Sequence, residues 1–285
     1  MNAIIMAAGT SSRFVPLSVE RPKGLLEVKG EILIERQIRQ LQEAGVGDIT
    51  IVTGYKAAMF EYLRDKYGVE IVYNEDYNKY NNTSSIIRVI DRLSDTFICC
   101  SDHYYKNNVF KELANESYYA ARFAKGGTRE YCFCLNKKDF ITSVSKGGHD
   151  AWYMAGHVFF NSSFSAKFRS LMIKEYNKES VRNGYWEDVY IDHIKDLPMQ
   201  IRRYPDDAIF EFDTLDELRT FDESYVWDTR SRIVKEIGNY FSCKDGELHG
   251  FQKIKHNGDY LLFSFSYKDK RYEYDERNPI KINQK

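Results

Sequence analysis

The sequence predicts an α/β protein built on a mostly parallel sheet, and three observations carry that reading. A short apolar run, Asn2-Ala3-Ile4-Ile5-Met6-Ala7-Ala8, has the length of one buried strand and passes straight into a loop of small residues. From Ile32 to Tyr73 the pattern alternates helix, strand, helix, strand. Following a first strand, that order implies right-handed crossovers and parallel pairing. A chain of 285 residues can bury such a core and still carry an appendage.

The loop after the first strand is Gly9-Thr10-Ser11-Ser12-Arg13, and Arg21-Pro22-Lys23 brings two more cations. Small side chains let backbone N–H groups approach an anion, and nearby Arg or Lys supplies the charge. Neither G-x-x-x-x-G-K-[ST] nor G-x-G-x-x-G is present, so on the loop alone the plainer reading is a strand and loop with surface charges. Gly24 to Val28 reads as extended. Ile34, Ile38, Leu41 and Ala44 recur at helical spacing within Ile32 to Ala44, and Gly45 stops the run. Asp48 to Gly54 is a β-branched strand, Ala57 to Tyr67 a helix, and Val69 to Tyr73 a third strand. Ligands of such sheets bind beyond the carboxyl ends of the strands, where Gly9 to Arg13 lies.

Asn74 to Thr83 is a polar, asparagine-rich loop, with Asn82 or Thr83 suited to cap a helix from Ser84 to Leu93. Asn81, Asn82 and Ser84 are turn and cap residues on one reading, and face a nucleotide base or substrate on the other. Thr96 to Cys100 is an apolar strand that delivers Ser101-Asp102-His103 at its end. A carboxylate there is costly without a partner. Asp102 is either a helix cap near Lys106 or an oxygen ligand for a cation such as magnesium. His103 then stands behind the metal or at the surface, because magnesium prefers oxygen.

Ser117 to Ala124 and Glu130 to Leu135 read as two strands separated by a turn at Lys125-Gly126-Gly127-Thr128. Phe140 to Ser145 is a further strand, and Lys146-Gly147-Gly148 separates it from Trp152 to Phe160. Val158 and Phe159 suit the core, whereas Trp152 at the strand's start suits a wall over a cationic ligand. Phe164 to Tyr176 is an amphipathic helix, and Tyr185-Trp186-Glu187-Asp188 opens another that continues from Val189 to Lys195. Acids in a first helical turn are ordinary dipole stabilisers. Beside Tyr185 and Trp186 they have a second reading, since aromatic faces with a carboxylate recognise quaternary ammonium groups. Ala208 to Thr214 repeats the strand-then-aspartate pattern, with Asp213 as cap, ligand or both and Glu217 placed for a capping box with Thr214. In the tail, Ile233 to Tyr240 reads as a helix. Phe251 to Lys255, a turn at His256 to Asp259 and Tyr260 to Tyr267 read as a hairpin, with another strand near Arg271 to Tyr274.

A formal charge of −1 argues against a nucleic-acid surface, which needs a basic field. The sequence has no apolar run long enough for a membrane span, so no membrane insertion is expected. Met1 leads into a folded strand rather than a signal sequence, and the expected compartment is cytoplasmic. Cys99, Cys100, Cys132, Cys134 and Cys243 show no C-x₂-C zinc spacing and read as free thiols. There is no convincing Ser/His/Asp or Cys/His arrangement for covalent catalysis.

Ala7-Ala8-Gly9, Arg13, Pro16, Pro22-Lys23 and Gly54-Tyr55 resemble the signature of nucleotidyltransferases that activate sugar and alcohol phosphates. That family often has Gly where this chain has Ser11. Tyr80-Asn81-Asn82, Ser101-Asp102, Trp152 to His157, Trp186-Glu187-Asp188 and Glu211-Phe212-Asp213 narrow the resemblance to bacterial CTP:phosphocholine cytidylyltransferases, over roughly Met1 to Ser224. The resemblance implies a Rossmann-like α/β/α fold, with CTP and phosphocholine as substrates and CDP-choline and pyrophosphate as products. It implies that Ala7, Ala8, Gly9, Thr10, Ser11, Ser12, Arg13, Lys23, Asn81, Asn82, Ser84 and Ser101 bind the nucleotide. Arg13 and Lys23 would act on its phosphates, and Asp102 and Asp213 would hold Mg²⁺. Trp152, Tyr185, Trp186, Glu187 and Asp188 are the candidates for the choline pocket.

The expected domains are therefore 1–224, catalytic, and 225–285, a small helix-and-hairpin appendage. The appendage resembles the first strands of a choline-kinase N-lobe and suits packing or a homodimer contact. The alternatives are the same chemistry on a sugar 1-phosphate or a small aminoalkyl phosphate or phosphonate, or an inactive nucleotide-binding module.

Overall fold

In the computed structural model, which describes residues 1–111, 115–256, 260–278 and 283–284, the chain divides into two compact units. The first comprises Met1–Gly9 and Leu33–Glu211, the second Thr10–Ile32 and Phe212–Lys285. This division differs from the boundary expected after Ser224. The reason is that the segment after the first loop is hydrogen-bonded to the tail: the Tyr225 hydroxyl donates to the Glu27 carbonyl at 2.7 Å. The Lys29 N–H donates to Asp222 at 2.7 Å.

The first unit is built on strands β1 (Asn2–Ala7), β2 (Asp48–Thr53), β3 (Glu70–Tyr73), β4 (Thr96–Cys100), β5 (His103–Tyr105), β6 (Tyr118–Leu135), β7 (Ile141–Phe160), β8 (Gln200–Arg203) and β9 (Ile209–Glu211). Seven of them form one sheet in the order β8-β6-β7-β4-β1-β2-β3, and β5 pairs with β9. The pairs β1/β2, β1/β4, β2/β3 and β6/β8 are parallel, while β4/β7 and β6/β7 are antiparallel. The sheet is mixed and mostly parallel, as the strand–helix alternation predicts.

Helix α1 (Leu33–Glu43) buries Ile34, Ile38 and Leu41, the stripe read from the sequence. Helices α2 (Tyr62–Tyr67), α3 (Thr83–Arg88), α4 (Ser162–Glu175), α5 (Glu179–Asn183) and α6 (Trp186–Asp192) complete the unit. A core of Ile4, Val52, Ile98, Val158, Phe160, Phe168, Trp186 and Tyr190 lies on one face of the sheet. His157 is also fully buried, 3.0 Å from the Tyr118 hydroxyl. Burial first, with Arg202 and His103 nearby, holds its imidazole down at about 3, so it packs as a neutral ring.

The four strands expected between Ser117 and Phe160 are in fact two, of 18 and 20 residues, forming one long ribbon. The glycine pairs mark bulges instead of turns: Gly126 and Gly147 have φ of 78° and 80°, and the register shifts beside Gly127 and Thr128. The reversal itself is at Asn136, whose side chain accepts from the N–H groups of Lys138 and Phe140.

The second unit contains α7 (Leu215–Phe221), α8 (Ser224–Trp227), α9 (Arg232–Phe241) and an antiparallel sheet. The sheet runs β10 (His249–Lys253), β11 (Leu262–Tyr267), β12 (Lys270–Asp275), β13 (Asn283–Gln284). The helix and hairpin expected in the tail are present, and Asn257 to Asp259 of the expected turn lie outside the described residues. The first turn of α9 is held by one carboxylate. Glu20 accepts from the Ser231 hydroxyl at 2.9 Å and from the N–H groups of Arg232 and Ile233 at 3.0 and 2.9 Å.

Candidate active site

Chain order along the sheet reverses at β1: the chain goes on to β2 and β3 on one side, then returns to β4 on the other. The crevice outside the ends of β1 and β4 is where such a sheet receives a ligand. Ala7 and Ala8 are buried at the end of β1, and Gly9 is exposed beyond them. The Ser101 N–H donates to the Met6 carbonyl at 3.0 Å, so Ser101-Asp102 leaves β4 beside Ala7. Gly54 is required at the neighbouring strand end. A Cβ there would lie 2.5 Å from Cβ of Tyr77 and 2.9 Å from the Ala8 carbonyl oxygen. That close approach lets the Tyr55 N–H donate to Ala8 at 3.0 Å.

The asparagine-rich loop is tied from within. Buried Asn74 donates to the hydroxyls of Ser84 and Ser85 at 2.8 and 3.1 Å, and Ser84 donates to the Asn81 carbonyl at 2.8 Å. Ser84, expected against the nucleotide, is thereby a brace for the loop. The Asn81 side chain accepts from the Asn82 N–H at 2.8 Å. Asn82 reaches the far helix: its Oδ1 accepts from the Trp186 N–H at 2.8 Å, and its Nδ2 donates to Glu187 at 3.2 Å. The other Glu187 oxygen accepts from the Tyr119 hydroxyl at 3.3 Å.

This places a partly buried carboxylate among aromatic rings. Burial pushes Glu187 up to about 7, against its own backbone N–H and the hydrogen bonds from Asn82 and Tyr119. Tyr131 shares the neighbourhood: burial raises its hydroxyl, and the charges of Asp188, Tyr185 and Glu187 add to the rise. Tyr119 and Tyr131 escape sequence reasoning, because nothing in a set of 22 tyrosines marks the two that the fold brings near Glu187. Asp188 accepts from the Tyr185 N–H at 2.7 Å and so caps α6, as an acid in a first turn does.

Trp186, expected as an aromatic wall, is core. Its side chain is 1% exposed, stacked 6.0 Å from Tyr119 and edge-on to Phe160 and Phe168. The α6 helix turns its indole inward and leaves Glu187 partly buried against Asn82 and Tyr119. Tyr185 is exposed. Trp152 stands on the β6–β7 ribbon, edge-on to Phe123 at 5.3 Å, and Arg203 already lies 5.1 Å over its ring.

In the second unit, Ser11 has φ 48° and ψ 45°, the left-handed region that favours glycine. That is the position where the resembled family often has Gly. Arg13 reaches Asp213 at 2.7 Å, and Lys23 lies 3.9 Å from the other oxygen of Asp213 and 5.8 Å over the Phe14 ring. Lys23 is buried and Arg13 exposed. Thr214 caps α7 by accepting from the Glu217 N–H, and Glu217 answers by accepting from the Asp213 N–H at 2.7 Å. The cap therefore uses Asp213's backbone and leaves its carboxylate to the cations. Such a cluster is suited to meeting phosphate oxygens, with the aspartate as the cations' partner beforehand.

The sequence matches the MobA-like NTP transferase domain over residues 3–154. The chain is a nucleotidyltransferase. It is 36% identical over 234 residues to a 2-aminoethylphosphonate cytidylyltransferase of Lancefieldella rimae, covering 81% of this chain and 95% of that one. It is 32% identical over 227 residues to a choline-phosphate cytidylyltransferase of Streptococcus pneumoniae, covering 78% and 97% of the two chains. Among solved structures, a CTP:phosphocholine cytidylyltransferase of Streptococcus pneumoniae superposes with a TM-score of 0.75 at 30% identity, over 78% of this chain and 98% of that one. The transferase thus belongs to the cytidylyltransferases. A Bacillus anthracis protein described as a glucose-1-phosphate thymidylyltransferase shares the fold, with a TM-score of 0.63 at 16% identity over 79% of this chain and 94% of that one.

For a magnesium ion, the donor chemistry of the transferase fits at two places. Asp102 offers an oxygen at the end of β4, and Asp213 offers two in the second unit. Both are hard carboxylate ligands of the kind magnesium takes beside phosphate oxygens. His103, placed by sequence behind the metal or at the surface, is buried, with Nε2 3.3 Å from Glu211.

Proposed function

We propose that this enzyme transfers CMP from CTP to phosphocholine, releasing pyrophosphate. The observation that carries this reading is Glu187, a partly buried carboxylate held by Asn82 and Tyr119 beside Tyr131 and Tyr185. A small phosphate ester with a cationic nitrogen finds there both a counter-charge and aromatic faces. The acceptor's phosphate oxygen, ionised at neutral pH, attacks the α-phosphorus in line and needs no general base. Arg13 and Lys23 neutralise the phosphates and the charge that develops on the leaving pyrophosphate. Asp102 and Asp213 would hold magnesium, which supplies further charge neutralisation on the triphosphate. Ala7 to Ser12 bring backbone N–H groups to the nucleotide, with Ser101 at the neighbouring strand end.

A second reading, 2-aminoethylphosphonate as acceptor, is favoured by the withdrawal of Trp186 into the core. A primary ammonium can donate to Glu187, whereas choline depends on aromatic walls. Pyrophosphate release with magnesium should be measured across four nucleoside triphosphates and four acceptors: phosphocholine, phosphoethanolamine, 2-aminoethylphosphonate and glucose 1-phosphate. Turnover highest with CTP and phosphocholine supports the first reading. Preference for the phosphonate replaces it with the second. Turnover on the sugar, or on no pair, removes the role given to Glu187.

A further inference from the structure

We propose that Cys100, Asp102 and His103 form a binding site for a thiophilic divalent cation of the zinc type, separate in chemistry from the magnesium reading. The three follow one another around the turn that joins β4 to β5, and their ligand atoms all lie within 4.8 Å of one another. A tetrahedral zinc ion with bonds of about 2.0 to 2.3 Å holds its ligands roughly 3.3 to 3.8 Å apart, so closure needs shifts of about 1 Å.

The turn is already braced for this. The Gln37 side chain donates to the carbonyls of Cys100 and His103 at 2.9 and 2.8 Å, and the Ser101 N–H is bound to Met6. Glu211 sits 3.3 Å from Nε2 of His103. A carboxylate on one imidazole nitrogen is the arrangement that orients the other toward a metal and raises its basicity.

Hard and soft cations use this turn differently. Magnesium takes oxygen in octahedral geometry and gains little from sulfur or nitrogen, so it engages Asp102 alone among the three. Zinc takes all three and keeps a fourth position for water or a phosphate oxygen. The consequence is inhibition: zinc on Asp102 competes with magnesium. Metal binding itself does not depend on the cytidylyl reading; only the inhibition does.

The test is titration of Zn²⁺ into metal-stripped full-length protein against a chromophoric chelator, with Co²⁺ substitution as a spectroscopic probe. The expected result is one Zn²⁺ per chain and a thiolate-to-cobalt charge-transfer band. Cys100→Ser should abolish the band and weaken Zn²⁺ at least ten-fold, and His103→Gln should weaken it similarly. Unchanged folding of Cys100→Ser is checked by circular dichroism. Zinc inhibition of pyrophosphate release should be relieved in Cys100→Ser. Absence of stoichiometric zinc, or a cobalt band and zinc affinity unmoved by Cys100→Ser, overturns the proposal whether or not the protein turns over CTP.

Discussion

Replacing Glu187 with Gln separates the cost of holding this carboxylate from its use. The folded group titrates near 7 and its ordinary value is 4.5. A carboxyl raised on folding favours the protonated form, so its contribution to stability is intact below pH 4.5 and is lost as pH rises through 7. At about 1.4 kcal/mol per unit, the ionised group costs the fold roughly 3 kcal/mol above pH 7. Partial exposure reduces that to about 2 kcal/mol. Glu187→Gln should therefore match the wild type near pH 5 and be about 2 kcal/mol more stable at pH 8, a rise in melting temperature of roughly 5 °C for a chain of this size. The same change should lower kcat/KM for the cationic acceptor by about 30- to 100-fold, because a buried charge loses its partner, and leave the KM for CTP nearly unmoved. In the wild type, kcat/KM for the acceptor should climb as pH rises through 7. The acceptor's own phosphate titrates nearby, so the difference between the wild-type and Gln profiles is what carries the test. Scanning calorimetry at pH 5 and 8 with steady-state kinetics covers both halves. A Gln variant that is less stable at pH 8, or one with an unchanged kcat/KM for the acceptor, would refute the account of Glu187.

Lys23→Ala removes the buried ammonium beside Asp213 and should lower the rate of pyrophosphate release by about 100- to 1,000-fold; near wild-type turnover would exclude Lys23 from the phosphate site. Ser11 carries left-handed strain of about 1 kcal/mol, so melting temperatures should fall in the order Gly, Ser, Val at position 11, and a Val variant as stable as the wild type would contradict this. Glu20→Ala breaks three hydrogen bonds at the start of α9 and should cost about 2 kcal/mol by chemical denaturation, with Glu20→Gln costing less.

Much of the first unit is legible in the sequence because its signals are local. The stripe of Ile34, Ile38 and Leu41, and the β-branched run from Ile49 to Thr53, each specify an element by periodicity alone. Gly126-Gly127 and Gly147-Gly148 mislead because a turn and a bulge demand the same permissive backbone, and only cross-strand pairing tells them apart. Residue type places an aromatic near Glu187 but not its face: Trp186 and Glu187 are adjacent, so the helix must send one inward and the other aside. The partners that hold Glu187 lie far away in sequence, Tyr119 at 68 residues and Asn82 at 105. Composition and spacing carry no information about such pairs.

The same long-range bonding changes how the tail should be viewed. Read as sequence, Tyr225 to Lys285 is an appendage that follows a finished catalytic domain. In the structure, the segment carrying Arg13 and Lys23 belongs to the same compact unit as that tail. Glu20 lies between those two cations in sequence and holds the first turn of α9. Tyr225 secures Glu27, and the Lys29 N–H is held by Asp222. The residues that would meet phosphate thus sit on a segment that, besides its own local turns, is hydrogen-bonded at Glu20, Glu27 and Lys29 to residues from Asp222 onward. Loosening α9 should therefore reach Arg13 and Lys23 without touching either side chain. On this view the described residues after Ser224 support, through Tyr225 and the first turn of α9, the segment that carries Arg13 and Lys23.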